Sequence, residues 1–171
     1  MKMKTGLAAL VTALLLLPGI AQADELPMKA EAPITLTSPS AILCEASTGQ
    51  VIFEKNADER RPVASVNKVM TILLTLEAVD EGRVSLEDQV TVSPRAASMG
   101  GSQAFLDAGE RYKLSELLKT VIVASANDSA VALAEHLAGT EESFVRLMNT
   151  RAEELGLTNT HYANCTGLPA Q

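Results

Sequence analysis

Ser65-Val66-Asn67-Lys68 sets a hydroxyl and an amine three residues apart, and Ser125-Ala126-Asn127 sets a second hydroxyl beside a side-chain amide. These residue types can carry acyl transfer without histidine. A serine hydroxyl attacks a carbonyl once a neighbouring base takes its proton, and a lysine stripped of water can be that base near neutral pH. The second hydroxyl can relay a proton between Lys68 and a leaving group, while the amide of Asn127 can bond both the lysine and a substrate carbonyl. Taken alone, each motif has a plainer reading. Ser65 could cap a helix with Lys68 solvated one turn later, and Asn127 or Asp128 could cap a helix break. Ser65-Val66-Asn67 also spells S-x-N, but it overlaps the first motif and cannot be the second.

The elements around the motifs favour the chemical reading. Two strand-like runs, 41–46 and 50–54, meet at Ser47-Thr48-Gly49, a turn signal between apolar stretches. Ser65 then opens an apolar helical run (Val69, Met70, Ile72, Leu73, Leu74, Leu76) that Gly82 closes. A serine in the first turn of a helix lies near unpaired backbone N–H groups and the positive end of the dipole. Lys68 lies on the same face, with Cβ atoms about 5–6 Å apart. Residues 87–93 read as a short strand and 98–102 as a loop. Residues 114–125 read as a helix with Ser115 as its N-cap and Leu117, Leu118, Val121 and Ile122 on one face. An alanine-rich helix follows over 128–137. Thr140 then caps an amphipathic helix that ends at Gly156, with Phe144, Leu147, Met148 and Leu155 as its apolar face. Ser125 and Asn127 fall at a junction of two helices, where side chains can reach a cleft.

Residues 1–23 read as a secretory signal: Lys2 and Lys4, an apolar core from Leu7 to Leu17, and Ala21-Gln22-Ala23 as a cleavage site. Pro18-Gly19 breaks the core before it is long enough to span a bilayer, and no cysteine follows the cleavage point to carry a lipid. Cleavage removes two lysines and no acid, so the net charge moves from −7 to −9, which disfavours nucleic acid and anionic surfaces as partners. The product is expected to work outside the cytoplasmic membrane, in the cell envelope. Residues 24–37 read as a Pro/Ala/Glu-rich linker, and 38–171 as catalytic domain. Cys44, in an apolar strand pattern, is expected to be a buried free thiol, and Cys165 to lie in a loop; a bridge between them is not expected. His136 and His161 lack partners at metal-ligand spacing, so no metal or cofactor is expected.

The chain resembles the N-terminal part of a serine-type D-alanyl-D-alanine carboxypeptidase, a low-molecular-mass penicillin-binding protein. The resemblance runs from about Ser40 to the last residue. It includes the hairpin 41–56, the block 62–71, Met99-Gly100-Gly101-Ser102, Ser125-Ala126-Asn127-Asp128, Leu155-Gly156-Leu157, Asn159-Thr160-His161 and Thr166-Gly167-Leu168-Pro169. It implies an α+β fold of the β-lactamase/transpeptidase type, an antiparallel sheet flanked by helices with a mostly helical subdomain. It also implies Ser65 as acylated nucleophile, Lys68 as its base, Ser125 as proton relay and Asn127 as substrate ligand. The implied substrate is a peptidoglycan stem peptide ending in D-Ala-D-Ala, with β-lactams as acylating inhibitors. Two departures are minor: Asn67 stands where the family often has threonine, and Cys165 where a small residue such as serine is common. The third is the absence of the family's K-T-G motif, so the chain is expected to be a fragment whose sheet is completed by later strands and which alone is inactive. Members commonly end in an amphipathic membrane-seeking helix; that region would lie beyond Gln171.

Two other functions are weighed. A β-lactamase needs a deacylating carboxylate, typically a Glu just before a Leu-Asn pair, and Glu153-Glu154-Leu155-Gly156 does not reproduce it. An inactive penicillin- or wall-binding module sits badly with four intact polar residues.

Overall fold

The computed structural model describes residues 35–170. The chain divides after Lys55 into two compact units.

In the first unit, β1 (Ala41–Cys44) and β2 (Val51–Lys55) form an antiparallel hairpin in which Leu43 faces Phe53, with a bulge between Leu43 and Cys44. The expected turn is present. Gly49 takes φ 72°, and one oxygen of Glu45 accepts the backbone N–H and hydroxyl of both Ser47 and Thr48. The Thr48 hydroxyl, then that of Ser47 and the two N–H groups, hold the Glu45 carboxyl down at about 2. Cys44 is exposed, not buried as its apolar neighbours suggest. The unit's only described sheet is two strands, so a thiol within it gains no second layer.

The second unit is mostly helical. A 3-10 turn, Ala64–Asn67, runs into α1 (Lys68–Asp80), and β3 (Gln89–Thr91) leads to the short α2 (Pro94–Ala97). Then come β4 (Arg111–Lys113), α3 (Leu114–Ala124), α4 (Asn127–Ala138) and α5 (Glu141–Glu154). β3 and β4 pair antiparallel, with Val90 opposite Tyr112. The alanine-rich α4 is the hub. It packs against α1, α2, α3 and α5, and Asn127 through Ala134 are all buried. Small side chains let four helices approach one, and Leu114, Leu117, Val131, Leu133, Phe144 and Met148 fill the space between.

Three local expectations need correction. Ser115 does not cap α3. The Leu114 and Ser115 N–H groups already donate to Asp88 and Leu86 carbonyls, so the helix begins at Leu114 with Lys113 as its cap residue. On α5 the buried stripe is Phe144, Met148 and Ala152, while Leu147 and Leu155 are 45% and 44% exposed. The Ser65 segment is a tighter 3-10 turn rather than the first α-helical turn. Thr140 does cap α5, its hydroxyl accepting from Ser143 N–H at 3.1 Å.

Candidate active site

Ser65 lies in a strained turn. Its predecessor Ala64 has φ 46°, a left-handed conformation that a Cβ disfavours. From this turn Ser65 faces Lys68, the first residue of α1, and Lys68 Nζ donates to Ser65 Oγ at 3.1 Å. Nζ also donates to the Thr166 carbonyl at 2.9 Å. Lys68 is only 2% exposed, and burial pushes its pKa below the usual lysine value of 10.5. The opposing influence is the Cys165 thiol. Burial and the Glu141 carboxylate push that thiol far up, so it stays protonated and offers little negative charge in return. The sequence expectation of a desolvated lysine beside a serine is met in geometry and in the direction of the shift.

Ser125 closes α3 in a left-handed conformation (φ 55°), with its N–H on the Thr120 carbonyl. It is half-buried. Asn127, the first residue of α4, is 3% exposed. Its backbone N–H donates to Ser102 and its Nδ2 to Gly100, each at 2.7 Å. Its Oδ1 is buried with no partner. Among the described residues, no hydrogen bond joins Ser125 or Asn127 to Ser65 or Lys68. The structure bonds Ser65 to Lys68 and, separately, leaves the Asn127 amide oxygen buried without a partner.

Two supporting groups were not identified from the sequence. Asp128 is 1% exposed, and its carboxylate accepts the N–H groups of Ala104 and Leu106 at 3.0 and 3.2 Å. With Asn127 it ties the 100–106 loop to the start of α4. Glu141 is likewise buried. It pairs with Arg95 and takes both the N–H and the thiol of Cys165, at 3.2 and 3.3 Å. The sequence does carry one signal for each: an acid in the first turn of a helix. What it cannot supply is the distant donor each acid meets.

The family model for D-alanyl-D-alanine carboxypeptidase matches residues 27–171. The chain belongs to this carboxypeptidase family. It is 51% identical over 129 residues to the D-alanyl-D-alanine carboxypeptidase DacF of Bacillus subtilis, covering 75% of this chain and 33% of that protein. Two solved structures are also similar. DacD of Francisella tularensis has a TM-score of 0.80 at 36% identity, over 87% of this chain and 36% of that one. Penicillin binding protein 5 of Haemophilus influenzae has 0.78 at 32%, over 81% and 41%. The fold is thus the mixed α/β fold of these family members, with small antiparallel sheets and several helices. The chain spans about a third to a half of the length of the curated relatives it matches.

Proposed function

We propose that the full-length protein is a serine D-alanyl-D-alanine carboxypeptidase acting on peptidoglycan stem peptides. The observation that carries this reading is the buried Lys68 amine on the Ser65 hydroxyl, within a chain of this family. In the proposed cycle Ser65 Oγ attacks the carbonyl carbon of the penultimate D-alanine and its proton passes to Lys68 Nζ. The tetrahedral intermediate collapses, and the departing amine takes that proton through the Ser125 hydroxyl. D-alanine leaves and an ester remains on Ser65, which water then hydrolyses. Neutral Lys68 is the competent base, and burial favours that form. Asn127 Oδ1 supports a binding role, because a buried acceptor without a partner is costly until a substrate N–H meets it.

β-Lactams present a strained amide to the same serine and would acylate it. The export signal read over residues 1–23 lies outside the described residues. We propose on its pattern that the protein acts in the cell envelope.

The test is fluorescent-penicillin labelling of the full-length protein alongside D-alanine release from a pentapeptide. Ser65→Ala should abolish both, and Lys68→Ala should slow acylation by orders of magnitude. Stoichiometric labelling of Ser65→Ala would remove the assignment. Penicillin hydrolysis far outpacing D-alanine release would favour a β-lactamase instead.

A further inference from the structure

Lys68 is held from behind by a loop whose own shape depends on one side chain. Three successive carbonyls of that loop face the start of α1. Asn164 accepts from Asn67 Nδ2 at 2.8 Å, Cys165 from Thr71 Oγ1 at 2.8 Å, and Thr166 from Lys68 Nζ at 2.9 Å. The loop has no regular structure to keep these carbonyls aligned. The Asn164 side chain does so instead. Its Oδ1 accepts from Thr166 N–H at 3.1 Å, Thr166 Oγ1 at 3.1 Å and Gly167 N–H at 2.7 Å. Its Nδ2 donates to the Leu168 carbonyl at 2.8 Å. An Asx turn of this kind fixes the peptide planes on either side of Thr166.

Resting on the reading of Lys68 as the base, we infer that Asn164 is a positioning residue for acylation, aiming the Lys68 amine through the Thr166 carbonyl. A neutral amine has two N–H bonds and one lone pair. With one N–H fixed on Thr166, rotation about the last side-chain bond is restrained, and the lone pair can be kept on Ser65 Oγ. Without that anchor the amine samples other rotamers, and few of them accept the Ser65 proton. The same loop also covers Lys68. Loosening it admits water and returns the amine toward an ordinary lysine. The titratable groups that face Lys68 are the Cys165 thiol on this loop, which stays protonated, and behind it Glu141 from α5 and Arg95 from α2. Substituting Asn164 leaves all three in the chain.

The experiment measures the second-order rate of penicillin acylation against pH for full-length wild type, Asn164→Ala and Asn149→Ala. Asn149 pins the same segment upstream, exchanging two hydrogen bonds of 2.9 Å with the Tyr162 backbone, but it does not touch the 164–167 turn. Asn164→Ala should acylate about ten- to a hundredfold more slowly, as expected of a base displaced by up to about 1 Å. The acid limb of its profile should move to higher pH. Asn149→Ala should lower thermal stability and leave the limb in place. If both variants lose rate equally with unmoved limbs, Asn164 is structural only and the inference falls. Should Asn164→Ala fail to fold, Asn164→Ser keeps one acceptor oxygen and carries the test at smaller amplitude. A wild-type rate and limb in that variant overturn the inference. Failure of the underlying reading looks different: Lys68→Ala would acylate at the wild-type rate whatever Asn164 does.

Discussion

Replacing Gly167 with alanine puts a methyl group where the protein has backbone. The added Cβ would lie 1.9 Å from the Ala64 carbonyl oxygen, 2.5 Å from its carbon and 2.9 Å from Asn67 Cβ. No side-chain rotation relieves a collision with main chain, so one of the two segments must retreat by at least about 1 Å. Gly167 also sits at φ 82°, which costs an alanine about 1 kcal/mol before any contact is counted. Overpacking of a well-filled site adds about 1–3 kcal/mol, so the expected loss is about 2–4 kcal/mol. The retreat falls on the turn that carries Ser65 or on the loop that carries the Thr166 carbonyl. A displacement of about 1 Å there should slow acylation by about a hundredfold. Gly156→Ala is the control, because Gly156 has φ 71° and nothing within 4 Å of an added Cβ. It should show the conformational cost alone, with acylation unchanged. Urea denaturation and penicillin labelling of the two full-length variants measure both quantities. If Gly167→Ala costs no more than Gly156→Ala and acylates normally, the close packing of this loop on the turn that carries Ser65 is not what orders the site.

Asp128→Ala should cost about 2–4 kcal/mol in thermal denaturation, since it strands the buried N–H groups of Ala104 and Leu106. The pH dependence of Lys68 has a definite sign. Its folded pKa lies below the unfolded 10.5, so the folded state carries a penalty for the ammonium that disappears as pH rises through that window. Wild type should therefore gain stability over Lys68→Met as pH climbs toward 10.5, and a difference flat in pH would contradict the burial of a charge. Export with cleavage after Ala23 should give a mature protein starting at Asp24, checked by N-terminal sequencing; exported material starting at Met1 would point to an uncleaved anchor.

Patterns carried within ten or so residues were legible. Ser47-Thr48-Gly49 marked the hairpin, Gly82 and Gly156 the helix stops, and Thr140 the cap of α5, because each acts on its own neighbours. The Ser65–Lys68 bond was legible for the same reason. What could not be read was set by distant partners. β4 is three residues, Arg-Tyr-Lys, and exists because β3 pairs with it. Ser115 looked like a cap until chain from residues 86–88 took the N–H groups of Leu114 and Ser115. The α5 stripe excludes Leu147 because the helix touches its neighbours along Phe144, Met148 and Ala152, a narrower line than its apolar residues define. Cys165 was placed in a loop correctly, but its complete burial follows from Glu141 and Thr71, 24 and 94 residues away.

The loop beside α1 is gripped by its main chain: Asn67, Lys68 and Thr71 all reach carbonyl oxygens. Every amino acid carries that oxygen, so the grip does not depend on which side chain stands at 165, within the room available, whereas the Thr166 hydroxyl also bonds Asn164 Oδ1 and Leu168 N–H. Mutational drift is thereby channelled. Position 165, fully enclosed, should accept alanine or serine with little effect on how the lysine is held, whereas position 167 accepts nothing larger than hydrogen. A library randomised over 164–167 and selected for penicillin labelling should therefore recover variety at 165, serine or threonine at 166 and uniformity at 164 and 167.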